Sequence, residues 1–384
     1  MSDLRKVWLE SFNGKIDEKE MNLLDRASLT IQNNVYEGGE YPWSPYRCIS
    51  PGINHFNGIW NWDSAFHAMA VSRWDTQLAR ESILGFTQFQ HVDGLFPDLI
   101  YTNGEISSVC SKPPVMAWAA EIVYDREPNK EFLDTVYSQL KKNEEYWCSN
   151  RFDRGLFFYD AVEKNDGNRE LYGRYESGLD DSIRWDKPVM NYWAIDLNCY
   201  MIMFYRSLSS FAKILMLGEE SIKWDKKAEQ LESLINEVLW NDEMKCYVDV
   251  DRFSGEKSPI LTPASFMPLF IEIASEERAE WLNKLAMDPN KFYSGMPTVA
   301  YDDPEYSRTY WRGPTWLNIA YFAAKGLKNY GFKSADKIKE TILNWVANEK
   351  RGIFENYDSK NGEGLYCDHF SWSSAFVIEF ILNF

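Results

Sequence analysis

Apolar residues recur along this chain at the spacing of a helix far more often than at the alternation of a strand. The 3.6-residue period predicts helices over about 64–73, 75–90, 114–124, 130–147, 191–217, 221–239, 276–286, 314–328, 335–348 and 371–383. Weaker signals lie near 17–34 and 265–274. Two textures alternate among them. "SAFHAMAVSRW" and "TWLNIAYFAAKGL" are apolar nearly all round, as helices enclosed by others must be. "SIKWDKKAEQLESLINEVLW" and "SADKIKETILNWVANEK" keep one polar face, as outer helices do. Strand signals are few: "KCYVDVDRFSGEK" alternates and then turns at Ser254-Gly255, and "GLFFYD" is a second short run. About a dozen helices, alternately buried and amphipathic, predict an all-α fold, a closed ring of helical hairpins with a minor β-hairpin. The segments between them, 40–63, 91–113, 150–189, 288–313 and 350–370, are long and rich in Trp, Tyr, Asp, Glu, Arg and Gly. Loops of that length in a compact domain usually carry function, and on one face of the ring they would build one pocket.

Composition narrows the picture. The chain of 384 residues is 45% hydrophobic and 26% charged, with no low-complexity linker, so one catalytic domain over residues 1–384 is expected. A formal charge of -17 argues against nucleic acid or an anionic membrane as a partner, but not against a small anion held by local cations. Cys48, Cys110, Cys148, Cys199, Cys246 and Cys367 are scattered, without a CxxC pair, and read as reduced thiols. The first residues lack an apolar core and no run of about 18 apolar residues occurs, which makes the cytoplasm the expected location. The aromatic content is high, 16 Trp, 22 Tyr and 23 Phe. Such rings fill cores, and they also match the apolar faces and hydroxyl rims of sugars.

Four stretches join carboxylates or arginines to aromatics at helix boundaries: "GIWNWDSAFH", "ESGLDDSIRWD", "YWRGPTW" and "FENYDSKNGEG" followed by "HFSWSS". None holds a Ser–His pattern, a phosphate loop or a metal-ligand spacing, and His55, His67, His91 and His369 form no zinc framework. No cofactor and no metal are expected. Chemistry that needs only two carboxyl groups in an aromatic pocket is glycoside hydrolysis, in which one acid protonates the leaving oxygen and the other activates water. The donor needs a raised pKa, which burial and like charges both give. Asp180, beside Leu179 and between Glu176 and Asp181, fits the donor; Glu355, in the last long loop, fits the base.

These motifs, in this order from about residue 56 to residue 380, resemble the helical-barrel glycosidases that include the trehalases and glycoside hydrolase family 63, with its mannosylglycerate and glucosylglycerate hydrolases. "WNWDSAFHAMA" is similar to that group's Trp-Asp-Ser motif, and "GLFPDLIYTNGEISSVCSKPPVMAWA" to its stretch ending in Ser-Gln-Pro-Pro. "ESGLDDSIRWD" resembles the segment of the acid, hence Asp180, and "FENYDSKNGEG" the segment of the base, hence Glu355. "YWRGPTWLN" is similar to its Tyr-Trp-Arg-Gly stretch. The resemblance implies an (α/α)6 barrel, inversion at the anomeric carbon, and carboxyl groups about 6.5–9.5 Å apart. One departure stands out: Lys112 occupies the place of the usual Gln, where it would pair with a nearby acid or meet an anionic group of the ligand.

The expected substrate is a small carbohydrate, one α-linked glucose or mannose on a small aglycone such as a second sugar or glycerate. Trp60, Trp62, Asp63, Lys112, Glu176, Arg184, Trp311, Arg312 and Trp372 are the expected sugar-binding residues. Asp63 has a second reading, as the N-cap of a helix starting at Ser64. Rivals are a trehalase, a polysaccharide lyase or sugar epimerase on a helical toroid, and a sugar-binding protein without turnover.

Overall fold

The computed structural model describes residues 4–37, 39–162 and 167–384. Fourteen α-helices run through these residues: α1 (Leu4–Glu10), α2 (Glu18–Asn33), α3 (Asn61–Val71), α4 (Thr76–Thr87), α5 (Met116–Arg126), α6 (Lys130–Asn150) and α7 (Arg169–Ser177). There follow α8 (Ile195–Ile214), α9 (Gly218–Val238), α10 (Met267–Phe270), α11 (Glu276–Met287), α12 (Leu317–Asn329), α13 (Ser334–Asn348) and α14 (Ser371–Leu382). Helices α3, α5, α8, α10, α12 and α14 pack each on the next, and α14 returns to α3, so an inner ring closes. Around it α2 lies on α14, α4 on α3, α6 on α5 and α8, α9 on α8, α13 on α12, and α11 on α13. This is an (α/α)6 barrel.

The burial pattern explains the two layers. Every residue of α3 is buried, and so is α14 from Ser371 to Phe380. In α13 the buried residues Ala335, Ile338, Ile342, Leu343 and Val346 form one stripe. Each large side chain buried this way contributes about 1.5–3 kcal/mol against the entropy of ordering the chain.

Among the described α-helices, side-chain caps occur only on outer ones, although outer α9 and α13 have none. Outer helices α2, α4, α6 and α11 are capped by Asp17, Asp75, Asn129 and Ser275, whose side chains accept from the backbone three residues on. The inner helices α3, α5, α8, α12 and α14 begin after Trp60, Val115, Ala194, Trp316 and Phe370, with no side-chain cap. Neighbouring segments serve them instead: Asn61 N–H donates to the Asp98 carbonyl, and Ser371 N–H to that of Pro51. For this reason α3 starts three residues before the expected Ser64, and Asp63 lies in its first turn rather than at its cap.

The β structure is more dispersed than one hairpin. Six small sheets occur among the described residues. Leu156–Phe157, in the run the sequence marks as a short strand, pairs with Phe152–Asp153. The 245–257 run divides: Cys246–Tyr247 pairs with Trp240–Asn241, and Val250–Asp251 with Tyr192–Trp193. Helices α1 and α7 give weak periodic signals because they are short, and they were not expected. All six cysteines are free. No helix among the described residues is long and apolar enough to cross a membrane.

A buried ion cluster fixes the loop before α8. Arg184 donates to Asp196 at 2.5 and 3.0 Å and to Asp249 at 2.8 and 2.9 Å. This corrects the expectation that Arg184 binds sugar, since its guanidinium is wholly engaged with two carboxylates. Arg184→Met should leave both acids uncompensated and cost about 3–5 kcal/mol in denaturant unfolding; a loss below about 1 kcal/mol would contradict the bracing role.

Candidate active site

All five long loops meet at the end of the ring where α3, α12 and α14 begin. They enclose a cavity of about 80 Å³ whose walls include Trp60, Trp62, Asp63, Lys112, Asp180, Tyr310, Trp311, Trp316, Glu355, Phe370 and Trp372. Indole rings form much of the wall. Trp311 stacks on Trp316 with centroids 3.7 Å apart, and Trp372 meets Trp62 edge-on at 4.8 Å. Gly178 makes the approach of Asp180 possible. It ends α7 at φ 71°, and a Cβ there would lie 2.4 Å from the Trp62 ring.

Asp180 meets the cavity with its side chain 31% exposed. Its Oδ1 has no hydrogen-bond partner, and Lys112 Nζ lies 3.9 Å away. Burial raises its pKa to about 6, with Lys112 opposing and Asp98 and Asp181 adding to the rise. Asp181 itself accepts from Trp311 N–H at 2.8 Å and so ties this loop to the Trp311 loop.

Glu355 precedes a tight antiparallel pairing of Asn356–Tyr357 with Gly364–Leu365. Its backbone N–H donates to the Cys367 carbonyl, and its Oε1 accepts from Tyr310 Oη at 3.1 Å. Tyr310 adopts φ 33°, a strained conformation for a bulky residue, and this strained residue is the one aimed at Glu355. Burial raises Glu355 to about 7, while the Tyr310 hydrogen bond pulls the other way. Burial also lifts Asp63 to about 8, against the pull of Lys112. Three carboxyl groups thus share one poorly solvated space, where Glu355 adds to the rise at Asp63 and Asp180 to the rise at Glu355.

Trp60, Trp62, Asp63, Lys112, Trp311 and Trp372 line the cavity as the sequence suggests. Three other expected sugar contacts do not. Glu176 is fully buried, held by Arg151 at 2.7 and 3.0 Å and by the Asp160 and Ser111 N–H groups. Arg184 is bound to Asp196 and Asp249, and Arg312 to both Asp186 oxygens and the Asp181 carbonyl. All three brace loops. Tyr310, Trp316, Phe56 and Phe370 were not singled out; Tyr310 and Trp316 were legible as the first and last residues of "YWRGPTW".

The family model described as "Mannosylglycerate hydrolase MGH1-like glycoside hydrolase domain" matches residues 57–373. The chain belongs to that glycoside hydrolase family. Among its relatives is the mannosylglycerate hydrolase of Rubrobacter radiotolerans, 24% identical over 95% of this chain and 98% of that one. The fold is similar to the GH63 mannosylglycerate hydrolase of Thermus thermophilus solved with glucose, with TM-score 0.77 and 22% identity over 93% and 99% of the two chains. It is also similar to the neutral trehalase of Saccharomyces cerevisiae, with TM-score 0.72 and 18% identity over 92% and 79%. The protein is a glycoside hydrolase, which sets aside the lyase, epimerase and non-catalytic alternatives.

Because the Tyr310 hydroxyl stabilises the ionised form of Glu355, Tyr310→Phe should move the Glu355 titration above about 7. Carbon-13 NMR of labelled glutamate checks this; an unmoved or lowered midpoint would contradict it.

Proposed function

We propose that this glycoside hydrolase inverts the anomeric centre of a small α-linked glucoside or mannoside, with Asp180 as general acid and Glu355 as general base. The observation that carries this is the pair of desolvated carboxyl groups lining one tryptophan-walled cavity, joined by no side chain other than those that tune them. Asp180 gives its proton to the glycosidic oxygen. Glu355 takes a proton from a water that attacks the anomeric carbon from the opposite face, and the sugar leaves with inverted configuration.

Burial lifts both groups toward neutral pH, Asp180 to about 6 and Glu355 to about 7. Substrate separates the two roles. A sugar ring covering Asp180 removes water from a side chain that is 31% exposed, and so raises its pKa further. Glu355 is 5% exposed and has little water to lose, while the attacking water and the Tyr310 hydroxyl both favour its charged form. Asp63, near 8, enters the reaction protonated and can both donate to and accept from a sugar hydroxyl. The indole faces supply apolar contact to the ring.

A glycosylglycerate is the first substrate to test, because the Rubrobacter radiotolerans relative bears the name mannosylglycerate hydrolase. A disaccharide such as trehalose is the second, on the strength of the trehalase relatives. A panel of both, followed by NMR of the first-formed anomer, should show the β-sugar released from an α-linked substrate; first release of the α-sugar would reject inversion. Asp180→Asn and Glu355→Gln should each lower kcat by about 10²–10⁴-fold with unchanged circular dichroism, and near-normal turnover in either would reject its assignment.

A further inference from the structure

Lys112 is the one cation among the described residues that line the cavity, and its neighbours show where its charge goes. Its Nζ donates to the Tyr175 carbonyl, lies 3.3 Å from Asp98 Oδ1 and lies 3.9 Å from Asp180 Oδ1. Asp98 is 5% exposed and stands next to the strand Leu99–Tyr101 that pairs with Gly58–Trp60, so it is fixed to the same wall that carries Trp60. Both Asp98 Oδ1 and Asp180 Oδ1 lack a hydrogen-bond partner, and a single ammonium stands close to both. Lys112 is itself 7% exposed. An ammonium already shared by two carboxylates is a poor anchor for a third, on a ligand.

We infer that Lys112 is a positioning residue, buried between Asp98 and Asp180, that sets the protonation of Asp180 and hence the pH at which the enzyme works, rather than a contact for an anionic aglycone. The inference rests on Asp180 being the general acid. An ammonium within about 4–6 Å favours the ionised carboxylate, and Asp98 weakens that effect by claiming part of the charge. Other titratable groups face the same space. Asp63 from α3, Cys110 and Tyr175 surround Lys112. Asp181, Tyr310 and Glu355 surround Asp180. None of these others is a cation, so Lys112 alone opposes the rise that burial and the acids impose on Asp180.

Two substitutions at neighbouring positions therefore act in opposite directions. Lys112→Met removes the opposing charge and should move the kcat/KM pH optimum up by about one unit. Asp98→Asn leaves the lysine wholly to Asp180 and should move the optimum down. A loss of packing at either position would lower rates without displacing the two profiles to opposite sides of the wild-type one. Lys112→Arg, which retains the charge, should keep the wild-type optimum. Carbon-13 NMR of labelled aspartate, following Asp180 in each variant and identified by its absence in Asp180→Asn, reads the same shift without turnover. Profiles and Asp180 midpoints that stay at the wild-type position in both variants, or move the same way, would overturn the inference. If Lys112→Met does not fold, Asp98→Asn decides alone, its downward move in support and an unmoved profile against. Near-normal turnover of Asp180→Asn would instead remove the general-acid assignment, whatever the NMR shows of Lys112.

Discussion

Keeping carboxyl groups in a place with little water is the constraint on which the rest of this structure turns. Raising Glu355 from 4.5 to about 7 costs about 3 kcal/mol of folding stability at neutral pH, since each pKa unit is about 1.4 kcal/mol. The sign follows from the raised pKa of an acid: the cost is absent below the unfolded value and grows as pH rises to about 7. Asp63 and Asp180 add to it in the same direction. A barrel that closes its inner ring with α14 on α3, and builds a wide apolar core around it, tolerates that cost at one end.

The rest of the architecture protects those acids. Inner helices begin at the site without side-chain caps of their own, and their start residues include Trp60, Trp316 and Phe370, which are wall residues as well. Charged residues near the cavity are divided by task. Glu176, Arg184 and Arg312 are consumed in ion pairs that fix loops, whereas Asp180 is left with one shared ammonium at 3.9 Å and an open hydrogen-bonding oxygen. A carboxyl group with unmet hydrogen bonding is suited to meet a substrate oxygen. A carboxylate held by a bidentate arginine is not.

Much of this was legible in the chain. The two helix textures separated inner from outer helices, and the five long loops correctly marked the end that carries the cavity. The motifs located the indole wall, Asp63, Lys112, Asp180 and Glu355. What sequence did not separate was a charged residue in a motif from a charged residue in the cavity, because both depend on partners far away in the chain. Glu176 is claimed by Arg151, and Arg184 by Asp249, and no local pattern announces either pairing. Tyr310 was missed for a related reason: its significance lies in a hydrogen bond to Glu355, 45 residues on, and in a backbone strain that composition does not reveal. The start of α3 was misplaced because Asp63 reads locally as a cap while the Asp98 carbonyl serves that helix end.

The central claim is that Asp180 and Glu355 work from opposite sides of one scissile bond. A crystal structure of the Asp180→Asn protein with an uncleaved α-glycoside tests it most directly. The account predicts the glycosidic oxygen within hydrogen-bond reach of residue 180, and a water held between Glu355 and the anomeric carbon. The two carboxyl positions should then lie about 6.5–9.5 Å apart. A sugar bound away from either residue, or a separation near 5 Å with no room for that water, would contradict it.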